Sequence, residues 1–98
     1  MDPEYADDDL RRLDCDPHCT GGWAPEIVRN YRKRMGMIRA APDERDFYAM
    51  KSLHFEKLKG ARAHQYSMRI NDKWRLILEF RGKAPDKKVF IVGIEDYH

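Results

Sequence analysis

The chain has 98 residues, enough for one domain around a single core. It is 42% hydrophobic and 37% charged, with a formal net charge of +2, so it can fold and will present a densely charged surface. No run approaches the ~18 apolar residues of a membrane helix, and no basic-then-apolar leader is seen; the expectation is a cytosolic protein with no membrane contact.

The net charge conceals an asymmetry. Residues 1–22 carry seven acids against Arg11 and Arg12, whereas residues 23–98 carry 17 basic residues against 10 acids. A basic body suits a phosphate-rich partner, although lysine and arginine also simply keep a surface in solution.

In chain order, residues 7–14 read as a short helix. Asp7, Asp8 and Asp9 stand where a helix N-terminus favours negative charge, and Leu10 and Leu13 form an apolar edge. Cys15 to Gly22 is a connector marked by Asp16-Pro17 and Gly21-Gly22. Residues 24–40 make the clearest helix. Pro25 fits its first turn, Val28, Tyr31, Met35 and Ile38 recur at helical spacing, and Arg29, Arg32, Lys33 and Arg34 cover the remainder. Ala41-Pro42 ends it. Asp43 caps a short helical turn through Tyr48, with Phe47 and Met50 near the core.

The second half reads as sheet. Ser52 to Leu58 is a weak strand. Gln65 to Asn71 alternates, with Tyr66, Met68 and Ile70 on one side and Ser67 and Arg69 on the other. Asn71-Asp72 is a turn. Trp74, Leu76, Leu78 and Phe80 then share a face opposite Arg75, Ile77 and Glu79. After a loop over 81–87, Val89 to Ile94 is apolar on both faces, as in a central strand. Helices followed by an antiparallel meander define a single α+β domain over 1–98, two N-terminal helices covering one face of a small antiparallel sheet. The other face is expected to carry Arg69, Arg75 and Lys59, open to a ligand.

The last strand runs directly into Glu95-Asp96-Tyr97-His98, which delivers an acid, a phenol and an imidazole to a fixed position. RNA carries its own nucleophile in the ribose 2′-OH. Cleaving it requires only that this hydroxyl be oriented and deprotonated, the phosphorane charge steadied and the 5′-oxygen protonated. Arginine and lysine serve the charge; histidine and tyrosine serve the protons. Lys57, Lys59, Arg62, Arg69, Arg75, Tyr97 and His98 supply all of these without a metal or other cofactor.

Three blocks carry a family resemblance: Leu58-Lys59-Gly60, the run Gln65 to Arg75, and Glu95 to His98. Over roughly residues 24–98 the sequence resembles the HigB toxins, or plasmid-maintenance killer proteins, of the RelE/ParE superfamily. The resemblance implies a RelE-like fold and a ribosome-dependent mRNA endonuclease working in the 16S rRNA A site. It also implies restraint by a HigA-like antitoxin with a helix-turn-helix fold. On matching positions it makes Lys59 a phosphate contact, Asn71 a site-lining residue and Arg75 the neutraliser of the scissile phosphate. Asp96, Tyr97 and His98 become the terminal acid, phenol and imidazole. Lys59 and Arg75 would stabilise the transition state, His98 or Tyr97 would move protons, and Asp96 would orient a neighbour. Lys57, Arg62, Arg69 and His54 would join Asn71 in RNA binding.

Two departures stand out. Some HigB proteins carry a histidine two positions before the leucine of the Leu-Lys-Gly block; here Glu56 stands there, and His54 is the nearest imidazole. The family also usually opens with a short apolar strand. Met1 to Tyr5 is a poor one because Pro3 lacks an N–H, so this edge strand is expected to be absent or trimmed.

Blander readings remain beside these. The cluster around Gly60 also fits a solvated basic loop, and Arg75 also fits a cross-strand pair with Glu79 or Asp72. Tyr97 fits simple packing, and His98 an idle chain end. Cys15-Asp16-Pro17-His18-Cys19 has the outline of half a zinc site, but zinc normally takes two such pairs, and a loop with two thiols is the simpler account. The methionines Met35, Met37, Met50 and Met68 read as core filling. A second function class also stays open: ParE-type relatives poison DNA gyrase on the same scaffold without cutting RNA.

Overall fold

The computed structural model describes residues 1–83 and 85–96. Five strands form one sheet: β1 (Asp2–Tyr5), β2 (Glu56–Lys57), β3 (Tyr66–Arg69), β4 (Trp74–Arg81) and β5 (Lys88–Asp96). Three helices precede most of it: α1 (Asp8–Cys15), α2 (Pro25–Ala40) and α3 (Arg45–Ala49). Short 3₁₀ turns at Lys51–Leu53 and Gly60–Arg62 flank β2. The strand order is β1-β5-β4-β3-β2, antiparallel except for β1, which runs parallel to β5. This is an α+β fold, with the helices packed on one face of the sheet.

The helices form where the sequence directs. The Asp7 carboxylate accepts from the Leu10 N–H at 2.9 Å, capping α1. Pro25 occupies the first turn of α2, where its missing N–H is harmless. Ile27, Val28, Tyr31, Met35 and Ile38 are the buried stripe of α2. They meet Met68, Ile70, Leu76, Leu78, Val89 and Ile91 from one sheet face, with Leu13, Phe47 and Leu53 closing the core. The fully buried Tyr31 hydroxyl donates to the Leu10 carbonyl at 2.8 Å, so even the core phenol is satisfied.

Arg32 and Arg34 do more than coat α2. Arg32 donates to the carbonyls of Leu13, Asp16 and Cys19 at 3.0, 2.9 and 3.0 Å, binding the end of α1 and the 16–24 connector to the helix. Arg34 Nε donates to the Arg69 carbonyl at 2.8 Å, and Asn30 donates to that of Ile70 at 3.0 Å. Burial lowers the Arg34 pKa from its ordinary value. These contacts fix the end of β3, and with it the approach to the candidate site.

Four sequence expectations are corrected. β1 is present: Asp2–Tyr5 pairs with Lys88–Ile91. Pro3 is tolerated because β1 is an edge strand. Ser52–Leu58 is a strand only at Glu56–Lys57, because Lys51–Leu53 closes a 3₁₀ turn first. Met50 is 44% exposed rather than core filling. The sheet face away from the helices is also not open. Ser67, Arg75 and Ile77 on that face are 2%, 8% and 3% exposed.

Candidate active site

The register builds a row of charged residues on the face away from the helices. Directly opposed residues in antiparallel strands point to the same side. Arg75 on β4 stands opposite Arg69 on β3 and Glu95 on β5. The next row joins Ser67, Ile77 and Gly93, with Glu56 of β2 opposite Ser67.

The segment after α3 folds back towards this face. His54 takes a left-handed backbone conformation with φ 46° and ψ 45°. Apart from glycines, it is the residue with positive φ among those described. Its carbonyl accepts a hydrogen bond from Arg75 Nη1 at 3.1 Å. Further along, Gly60 has φ +67° and starts the turn that carries Arg62. Arg62 then grips Glu95 bidentately at 2.9 and 2.7 Å and donates to Gln65 at 2.9 Å. The result is a cleft of about 160 Å³ lined by Leu58, Arg62, Ser67, Arg75, Ile77, Glu95 and Asp96.

The expected site residues fall as follows. Arg62, Arg75 and Asp96 line this one cleft, and Arg69 stands beside Arg75 in the register. Lys59 is exposed and follows Leu58 at the start of the Gly60 turn. Lys57 stands opposite Tyr66, so the register puts it on the other side of β2 from Glu56 and Ser67. The Asn71 carboxamide oxygen accepts from the N–H groups of Lys73 and Trp74 at 2.9 and 2.8 Å and so closes the β3–β4 turn. His54 is exposed and meets Arg75 through its backbone carbonyl. Tyr97 and His98 lie outside the described residues.

The acids named as alternative partners of Arg75 have other neighbours. Asp72 pairs with Arg69. Glu79 accepts from Gln65 at 3.0 Å and lies within 4 Å of His64 and Arg81. Asp96 has Lys73 Nζ 3.9 Å from its carboxylate.

The sequence reading assigned no role to Glu95 or Ser67. Glu95 could have been suspected as the acid nearest the terminal triplet. Ser67 carried only its place in the alternating strand. Among the described residues its Oγ is the buried side-chain oxygen with no hydrogen-bond partner. Cys15 and Cys19 are free thiols, and no cluster of His, Cys, Asp or Glu suited to a metal occurs among the described residues. No described helix is long and apolar enough to cross a membrane. A larger cavity of about 520 Å³ lies between the connector and α2, beside Thr20, Val28 and Arg29, apart from this chemistry.

The fold thus places two arginines and two carboxylates in one cleft on the far side of a helix-covered five-stranded sheet, the architecture of a small α+β domain. The chain is similar to the YoeB/ParE toxin from Agrobacterium tumefaciens, at 15% identity with both chains fully covered and a TM-score of 0.60, which shows the shared fold. It belongs to the family of RelE-like toxins of the type II toxin–antitoxin system HigB, whose model matches residues 3–98. No curated protein matches the chain. Membership of this family implies an antitoxin partner and does not favour the gyrase-directed alternative.

Proposed function

We propose that this toxin is a metal-independent endoribonuclease that cuts mRNA in the ribosomal A site, in the cytoplasm, and is held inactive by a HigA-like helix-turn-helix antitoxin. The reading is supported most by one observation: Arg75, held by the His54 carbonyl, lines one cleft together with Asp96.

In the reaction a base removes the 2′-OH proton, the 2′-oxygen bonds to phosphorus, and the phosphorus–5′-oxygen bond breaks. An acid returns a proton to the leaving oxygen, giving a 2′,3′-cyclic phosphate and a 5′-hydroxyl. Arg75 and Lys59 are the groups proposed to steady the phosphorane charge, because a guanidinium offers two parallel donors to two oxygens. His98 or Tyr97 moves the protons, and Asp96 orients its neighbour. Lys57, Arg62, Arg69, Asn71 and His54 are proposed RNA contacts, with affinity falling as salt rises.

The test is to add the toxin to a translating extract and map the 5′ ends of the message. New 5′-hydroxyl ends with wild type, reduced at least about 100-fold by Arg75→Ala, are expected. Growth arrest with intact message would overturn the nuclease reading.

A further inference from the structure

An oxygen buried without a partner is expensive unless something supplies the missing bond. The Ser67 hydroxyl can donate one hydrogen bond and accept others. Ser67 is 2% exposed, and among the described residues its Oγ has no partner. Unsatisfied polar atoms of this kind are few in native proteins.

Its position is specific. Ser67 lines the same cleft as Arg75. It stands opposite Ile77, two residues along β4 from Arg75 on the same face, and is therefore a diagonal neighbour of the guanidinium. The cleft of about 160 Å³ greatly exceeds the ~10–15 Å³ that one water requires. The remaining polar lining is dominated by arginine and carboxylate, with Arg62 already clasped by Glu95. An anion that binds Arg75 would bring acceptor oxygens to the one neutral donor at the floor.

We propose that Ser67 is a substrate-binding residue whose hydroxyl donates to a phosphoryl oxygen of the RNA backbone held by Arg75. This deepens the nuclease reading and rests on it for the identity of the phosphodiester. The hydroxyl has no protein partner among the described residues of the free toxin and gains a partner from the ligand when the phosphate enters.

Stability and function should then move in opposite directions. A structural serine would make Ser67→Ala melt lower; a hydroxyl kept for a ligand leaves the melting temperature unchanged or higher. The experiment combines thermal melting of Ser67→Ala, its cutting rate in a translating extract, and a titration of both proteins with inorganic phosphate, followed by the backbone amide signal of position 67 and the Arg75 Nε signal in NMR. Expected are undiminished stability, about tenfold slower cutting and a phosphate-dependent shift weakened by the substitution. A lower melting temperature, or cutting at the wild-type rate, overturns the proposal and leaves the nuclease reading standing. If wild type cuts no message, the nuclease reading falls and the titration alone decides: a shift weakened in Ser67→Ala upholds a phosphate site, and no shift overturns it.

Discussion

Arg75 Nη1 donates across 3.1 Å to the backbone carbonyl of His54, so the arginine at the cleft floor is held by the one described non-glycine residue with left-handed backbone. Histidine visits this region more readily than most residues, yet it is still strained there. The strain turns the chain so that its carbonyl faces the guanidinium.

That geometry separates two roles of His54. His54→Gly relieves the backbone and keeps the carbonyl, so its melting temperature should equal or exceed that of wild type. His54→Ala keeps the strain and should be the less stable of the pair by about 1 kcal/mol. Thermal melts of both variants check this, and reversed order would refute the backbone account.

Arg62 and Glu95 are about half exposed, at 45% and 42%, so their pairing contributes under about 1 kcal/mol to stability. Its functional weight should be larger. Glu95→Gln removes a carboxylate from the cleft and loosens Arg62 from it. The variant should bind single-stranded 2′-O-methyl RNA several-fold more tightly, with a steeper loss of affinity in salt. Fluorescence anisotropy at several salt concentrations tests this. Affinity equal to wild type would mean that the clasp does not compete with phosphate.

Arg32 on α2 anchors the Leu13 carbonyl of α1 and two connector carbonyls, those of Asp16 and Cys19, and lies apart from the cleft. Arg32→Ala should therefore lower stability by about 2–3 kcal/mol. Denaturant unfolding measures the loss. If the variant folds as stably as wild type, the connector does not depend on this arginine.

Lys87 donates to both carboxylate oxygens of Glu44 at 2.7 and 2.8 Å. This hydrogen bonding holds the Glu44 pKa below its usual range. The folded state thus binds the proton more weakly than the unfolded chain. The stabilisation is full above the unfolded pKa of about 4.3 and is lost as pH falls through the folded value. Lys87→Met should flatten the acid side of the stability profile by under about 1 kcal/mol and leave neutral-pH cutting unchanged. Unfolding curves between pH 2 and pH 6 decide it, and an unaltered slope would count against the pair.

Much of the fold was legible from periodicity. The stripe of α2 and the alternation of β3 and β4 follow directly from residue spacing. β1 is hard to see in the sequence because Pro3 reads as a broken ladder, whereas at an edge its missing donor matters less. The cleft was only partly legible. Arg75 could be assigned to a face from its neighbours on β4. That the face would be half closed depends on His54 and Gly60 turning the chain back, and neither turn has a period to detect. Ser67 was invisible for a related reason: a serine in an alternating strand looks like solvent-facing filler until its surroundings are known.

Val92 has the last consequence. Ile77 is paired with Gly93 while the adjacent Leu78 is paired with Ile91, leaving Val92 between the two rows. This extra residue reverses the parity of β5. Val89, Ile91 and Ile94 can all face the helices, and Glu95 emerges opposite Arg75. Were Val92 instead paired in regular register with Ile77, Glu95 would fall opposite Trp74 on the helix side and the guanidinium would lose its acidic counterpart. The bulge at one chemically inert residue thus decides on which side of the sheet the acid appears.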